Sequence, residues 1–136
     1  GPAAVVKVPA LFDWSGSSDS AIRYYSGSAV YTNSFELNGV GGKVYIDLGR
    51  VENIATVYVN GVDCGTVWTV QALDITRAVH AGRNELKVVV TNTWANRLTG
   101  DQRLPVDLRR TWTTSPWKSD GALLPAGLLG PVYIRY

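Results

Sequence analysis

The sequence predicts an all-β fold, an antiparallel sandwich or barrel, and three observations support this prediction. Apolar and polar residues alternate with a period of two in several segments, which is typical of half-buried strands. Turn residues separate these segments, notably at residues 39–42 and at Asn60-Gly61. The chain has 136 residues, of which 46% are hydrophobic and 18% charged, a composition that suits one globular domain with its own core.

Five segments carry the alternation. In the first of them, Tyr31, Phe35 and Leu37 fall on one face of the predicted strand. The predicted strands cover residues 31–37, 43–48, 57–59, 86–90 and 131–136. The last one starts with a proline, which is tolerated at the first position of a strand. Only residues 73–79 have a composition that suits a helical turn, so alternating β/α units are not expected.

Residues 93–127 break this pattern, because the alternation stops and three tryptophans occur, at positions 94, 112 and 117. A connection of this length inside a compact domain usually carries function or is disordered, and tryptophans argue against disorder. We therefore expect the functional surface of the domain in this segment.

Charge and hydropathy exclude two classes of partner. The net charge is +2, and the basic residues are scattered apart from the Arg109-Arg110 pair, so nucleic acid is not expected to bind. No apolar run is long enough to span a membrane. Gly1-Pro2 has the sequence of a scar left by a cleaved affinity tag, and residues 3–136 are expected to form a single domain.

Catalytic chemistry is not expected either. Cys64 is the only cysteine and His80 the only histidine, and they lie in different turn segments, which favours a structural cysteine over a nucleophile. The carboxylates of the long segment, Asp101, Asp107 and Asp120, do not form a convincing glycosidase pair.

No cofactor is expected. Asp13, Asp19 and Asp120 are candidate ligands of a structural calcium ion. However, these three residues do not form the compact Asp-rich loop that is typical of calcium sites.

Two groups of motifs resemble glycoside hydrolase domains. Residues 57–65, followed by 73–76 and 82–86, resemble the sugar-binding jelly-roll domain of glycoside hydrolase family 2. Residues 24–31, 91–102 and 123–132 resemble the C-terminal domain of family 106, the α-L-rhamnosidases. The resemblance covers about residues 10–136. It implies an antiparallel, galactose-binding-like jelly roll from a secreted or periplasmic bacterial enzyme whose catalytic carboxylates lie on a separate barrel domain.

Sugar recognition combines aromatic rings that stack on a pyranose with polar groups that bind its hydroxyls. The long segment contains both, so we expect Trp94, Asn96, Arg97, Asp101, Trp112, Trp117 and Lys118 to bind carbohydrate. Alternatively, Trp94 closes the end of the sandwich, and Arg97 pairs with Asp101 to fix the segment. Trp14 and Trp68 are expected in the core.

Two functions follow from the resemblance. The preferred one is a monomeric, non-catalytic carbohydrate-binding module that binds plant cell-wall glycan, such as pectin-type polymers containing rhamnose or uronate. The alternative is an accessory sandwich that packs on the catalytic domain of the parent enzyme and binds no sugar alone.

Overall fold

A computed structural model of the chain describes residues 2, 4–68, 71–113 and 121–136. Its strands are β1 (Ser28–Leu37), β2 (Tyr45–Asp47), β3 (Arg50–Glu52), β4 (Ile54–Val59), β5 (Val62–Val67), β6 (Ala72–Asp74), β7 (Gly82–Thr91), β8 (Gly127–Gly130) and β9 (Tyr133–Arg135). The α-helices are α1 (Ser20–Arg23) and α2 (Ala95–Asp101), and short 3₁₀ helices cover Trp14–Gly16 and Val106–Leu108. None of the helices in these described ranges is long and apolar enough to cross a bilayer.

The strands form an antiparallel sandwich. One layer is a four-stranded sheet in the order β1-β7-β4-β5, and another is a three-stranded sheet in the order β6-β2-β9. Strands β3 and β8 pair separately. Side chains from both layers, among them Val57, Val88 and Ile46, meet in one hydrophobic core. The predicted all-β sandwich is confirmed.

Strand β4 shows how the alternating sequence produces this core. Ala55, Val57 and Val59 are completely buried, whereas the residues between them face outward. Burial of each valine stabilises the fold by about 1.5–3 kcal/mol. A slip of one residue in register would move all three side chains to the solvent face, so this pattern fixes the pairing of β4 with its neighbours.

The predicted turn at Asn60-Gly61 joins β4 and β5 in a tight hairpin. Both residues have positive φ angles, 50° and 80°, as a type I′ turn requires. The Asn60 side chain donates to the Ala78 carbonyl at 2.9 Å and accepts from the backbone N–H of Glu85 at 2.9 Å. These contacts tie the hairpin to β7 and to the segment after β6.

Trp14 lies in the interior, as the sequence predicts, and it anchors the chain before β1. It is 6% exposed, and its indole N–H donates to the hydroxyl of Tyr31 at 2.6 Å. Gly127 lies so close to this ring that a β-carbon would be 2.6 Å from it. Burial raises the pKa of the Tyr31 phenol, an effect that the hydrogen bonds from Leu128 and Trp14 partly oppose.

Three expectations about local structure need correction. Residues 73–79 are not helical, because β6 pairs with β2 through Asp74 and is followed only by a turn in which the Ala78 N–H donates to the Ile75 carbonyl. The long segment after β7 contains α2, which the loss of alternation did not reveal. Trp68 is not in the core: it is 69% exposed, because it follows the inward-facing Val67 and therefore points outward.

Candidate functional site

The long segment begins with α2, and one face of this helix is buried. Its buried residues are Asn96, Thr99, Gly100 and Asp101. Gly100 contacts Tyr24 so closely that a β-carbon at this position would lie 2.6 Å from the ring carbon Cγ. A helix of seven residues without a side-chain cap has little stability of its own, so these tertiary contacts hold it in place.

Asn96 uses its amide group inside the protein. Its Nδ2 donates to the Leu124 carbonyl at 2.7 Å, and its Oδ1 accepts from the Leu124 N–H, also at 2.7 Å. The residue is only 3% exposed. In this conformation the amide joins α2 to the chain before β8 and is not accessible to a sugar.

Asp101 joins α2 to the chain after it. Its Oδ2 accepts hydrogen bonds from the N–H groups of Arg110 (3.0 Å) and Thr111 (2.8 Å) and from the hydroxyl of Thr111 (2.5 Å). Its Oδ1 is buried and has no hydrogen-bond donor among the described residues. Nη1 of Arg97 lies 3.8 Å from Oδ1 and forms an ion pair with it. Because Asp101 is 2% exposed, its carboxylate fixes the segment and does not face solvent.

Of the tryptophans of this segment, the two that the structure describes, Trp94 and Trp112, face the solvent instead. Trp94 precedes α2 and is 64% exposed, so the expectation that it closes the end of the sandwich is wrong. The chain turns into α2 at this residue, and the indole is left on the outside. Trp112 is 86% exposed. Trp117 and Lys118 lie outside the described residues.

Arg110 and Trp112 form an exposed pair around the inward-facing Thr111. The backbone N–H groups of Arg110 and Thr111 are fixed by Asp101, as described above. Within the part of the chain that the structure describes, the Arg110 guanidinium has no carboxylate within ion-pair distance. In the sequence, the signal for this surface is the Arg109-Arg110 pair, two residues before Trp112.

Arg103, which follows α2, connects the end of this helix to Tyr24 and to Gly121. The Arg103 guanidinium donates to the Tyr24 hydroxyl at 2.9 Å and to the Gly121 carbonyl at 3.2 Å. It also lies 5.7 Å from the centre of the Tyr24 ring, within the range of a cation–π interaction. Sequence reasoning did not pair these residues, because they are 79 positions apart.

The structure places the other candidate groups in structural roles. Asp13 and Asp19 each accept a hydrogen bond from the chain two residues later, at 2.9 and 2.8 Å, and so cap short helices. Among the described residues no group of three His, Cys, Asp or Glu side chains could hold a metal ion. The third calcium candidate, Asp120, lies outside the described residues.

Cys64 is half-buried, and burial raises the pKa of its thiol. A raised pKa leaves little thiolate near neutral pH, which disfavours nucleophilic chemistry. The ring of His80 contacts the Ala81 carbonyl at 2.9 Å.

A cleft of about 730 Å³ lies between the N-terminal segment and β1. Aliphatic side chains such as Val5 and Val30 line it, together with the aromatic rings of Trp14, Tyr25 and Tyr31. Among the described residues, Lys7 is the one charged side chain in its lining, and Ser28 and Thr32 add hydroxyl groups.

The sequence of the chain is similar to a known protein family and to a known protein. The model of the glycosyl hydrolase 2 galactose-binding domain-like family matches residues 14–123. A putative beta-glucuronidase from Formosa agariphila is 37% identical over an alignment 159 positions long, which covers 96% of this chain and 14% of that protein.

Two solved structures contain a domain of similar fold. A rhamnosidase from Novosphingobium sp. PP1Y superposes with a TM-score of 0.82 at 43% identity, covering 90% of this chain and 12% of that one. A beta-glucuronidase from Ruminococcus gnavus shares the fold, with a TM-score of 0.59 and 24% identity over 68% of this chain and 17% of that one. The chain therefore spans only about one seventh of the relatives that it matches.

Proposed function

The chain belongs to the glycosyl hydrolase 2 galactose-binding domain-like family, and on this basis we propose that it is a non-catalytic carbohydrate-binding domain of a larger glycoside hydrolase. In this proposal the parent enzyme is secreted or periplasmic and degrades plant cell-wall polysaccharide. The domain holds the enzyme on that polysaccharide, as a monomer and without a cofactor.

The exposed tryptophans Trp94 and Trp112 carry the proposal. A tryptophan side chain is usually well buried, because its large apolar surface stabilises a core. Here both rings face solvent beside a helix whose own polar groups are bonded internally. Exposed indoles suit stacking on the apolar face of a pyranose.

The arrangement of the carboxylates in the described residues supports the proposal that the domain is not catalytic. Asp101 is buried, and its oxygen Oδ2 is occupied by Arg110 and Thr111. A glycosidase needs two carboxyl groups that face each other across the substrate. The matching segment is also a small fraction of each relative, which leaves room for a catalytic domain elsewhere in those proteins.

We further propose that the parent enzyme is a rhamnosidase of the family 106 type. The superposition on the Novosphingobium rhamnosidase, at 43% identity over 90% of the chain, supports this assignment. A glucuronidase parent is the competing assignment, supported by the relative from Formosa agariphila. In both cases a plant cell-wall polysaccharide that contains rhamnose or uronate is a suitable probe.

Calorimetric titration of the purified domain with a panel of cell-wall glycans tests the proposal. We expect Trp112→Ala to weaken binding by about 1–3 kcal/mol, the usual cost of losing an aromatic anchor. Trp68→Ala is the matched control, because Trp68 is similarly exposed but lies at the end of β5. Equal losses in the two variants, or no binding of any glycan by the unaltered domain, would refute the proposal.

The accessory-domain function remains the second candidate, and one observation favours it. Leu104, Val106 and Leu108, which precede Trp112 in the chain by four to eight residues, are exposed, and apolar surface of this kind often marks a protein contact. If the domain acts by packing, its removal from the parent enzyme should lower the melting temperature of the catalytic domain. Glycan binding should then be undetectable for the isolated domain.

A further inference from the structure

We infer that Arg110 and Trp112 together bind a uronic acid residue of the glycan, an inference that rests on the proposed carbohydrate-binding function. Trp112 stacks on the pyranose ring, and the Arg110 guanidinium binds its carboxylate. Neither the family assignment nor the relatives identify such a site, and Arg110 is not among the residues that the sequence predicts to bind carbohydrate.

The geometry of three consecutive residues supports this pairing. Thr111 is half-buried, and its hydroxyl donates to Asp101 inside the protein. Its two neighbours are both exposed, so they flank an inward-pointing side chain. The chain bends at Arg110, and burial alternates across these three residues, so the two exposed side chains stand on either side of the half-buried Thr111 with their Cα atoms at most about 7 Å apart. This separation is close to the size of one pyranose ring with its carboxylate.

The charge around this pair favours an anionic ligand. Arg103, Arg109 and Arg110 lie within eight residues, and none of them has an ion-pair partner among the described residues. Arg103 and Arg109 direct a guanidinium N–H at backbone carbonyls, of Gly121 and Leu104 respectively. The opposing carboxylate in this stretch is Asp107, so a net positive charge remains. A guanidinium can bind a carboxylate through two parallel hydrogen bonds, which a neutral sugar cannot match.

Asp101 is the positioning residue of this site. It does not reach the ligand, because it is buried, but it fixes the backbone N–H groups of Arg110 and Thr111. Those contacts determine the direction in which Arg110 and Trp112 project. Loss of the carboxylate should therefore weaken binding of the uronate without removing a group that contacts it.

The test compares two probes, a short oligogalacturonate and its fully methyl-esterified, neutral form. We expect the unaltered domain to bind the acid form at least about 10-fold more tightly, a ratio typical of one charge-assisted hydrogen-bond pair. An increase in ionic strength from about 0.05 to 0.5 M should reduce this preference, because salt screens exposed charges.

Variants then locate the site. Arg110→Gln should remove the preference for the acid form, whereas Arg83→Gln, the same charge change at the start of β7, should preserve it. Trp112→Ala should weaken binding of both probes, and Trp68→Ala should weaken neither. Asp101→Asn should weaken binding of the acid probe in a domain that still melts cooperatively. Thr111→Val, which removes only the hydroxyl contact, serves as a second variant if Asp101→Asn does not fold.

The outcomes separate this inference from the function on which it rests. Equal binding of both probes, or an acid preference that survives Arg110→Gln, overturns the uronate site while the carbohydrate-binding function stands. No binding of either probe or of any glycan on a broad panel overturns both.

Discussion

At the scale of single residues, the same polar side chains that suit sugar binding also suit the fixing of a loop. Asn96 illustrates this ambiguity, because an amide can bind two hydroxyls of a sugar or both backbone groups of another residue. The structure shows the second use: Asn96 bonds the N–H and the carbonyl of Leu124. Sequence alone does not distinguish the two, since the partner is 28 residues away.

Replacement of Asn96 by alanine should destabilise the domain by about 1–3 kcal/mol, because the buried amide and its two hydrogen bonds to the backbone of Leu124 are lost. The matched control is Asn38→Ala, at an exposed position after β1, which should change the free energy of unfolding by less than about 0.5 kcal/mol. Urea unfolding monitored by circular dichroism measures both. An Asn96→Ala domain as stable as the control would show that these bonds contribute nothing.

Tyr31 should make stability depend on alkaline pH. Its pKa is raised in the folded state, so the unfolded chain ionises first as the pH increases. The contribution is therefore complete below the unfolded pKa of about 10 and is lost as the pH rises through the higher folded value. Comparison of the domain with Tyr31→Phe by thermal melting at pH 8 and at about pH 10.5 isolates this effect. The unaltered domain should lose more stability between these two pH values than the variant; an equal loss would contradict this assignment.

At the scale of elements, strands were predictable and the helices were not, for physical reasons. The strands rest on local alternation, as in β4, where every second residue enters the core. Helix α2 contains Asn96, Thr99 and Gly100, which favour helix weakly, and its stability comes from contacts with Tyr24 and Leu124. Trp68 was placed wrongly because its outward direction depends on the register of β5, which pairs Val67 with Ala55.

Gly100→Ala tests the contact that holds α2. An added methyl group would lie 2.6 Å from Cγ of Tyr24, so the helix or the ring must move. Overpacking of this kind usually costs about 1–3 kcal/mol, of which the better helix propensity of alanine offsets roughly 0.5–1 kcal/mol. Gly39→Ala is the control, because the space around Gly39 is open and its φ is not positive. Thermal melting should show a lower Tm only for Gly100→Ala. An unchanged Tm would mean that α2 is not tightly packed on Tyr24.

At the scale of the whole molecule, the core joins both sheets and Trp14 ties the chain before β1 to β8. The sandwich was predictable because many short amphipathic strands can bury their apolar faces in few other ways. The candidate site was less predictable. The sequence predicted a binding surface in residues 93–127 and named its tryptophans, but the exposure of Trp94 and Trp112 depends on how α2 and Asp101 direct the chain.

The isolated domain should therefore unfold in one cooperative step as a monomer with a β-type far-ultraviolet spectrum. Agreement between the calorimetric and van't Hoff enthalpies checks cooperativity, and sedimentation checks the monomer. Assays with aryl rhamnosides and aryl glucuronides should show no turnover above background. Two separate melting transitions would argue against a single core, and turnover that is lost in Asp101→Asn would argue against a non-catalytic domain.

The unequal exposure of the tryptophans has an optical consequence. Among the described residues, Trp14 is buried beside Tyr31, whereas Trp68, Trp94 and Trp112 face solvent. Intrinsic fluorescence should therefore contain a blue-shifted component that iodide cannot quench and a red-shifted component that it quenches readily. A ligand that covers Trp112 would protect part of the second component and leave the first unchanged. The domain thus carries its own reporter of occupancy, which needs no label.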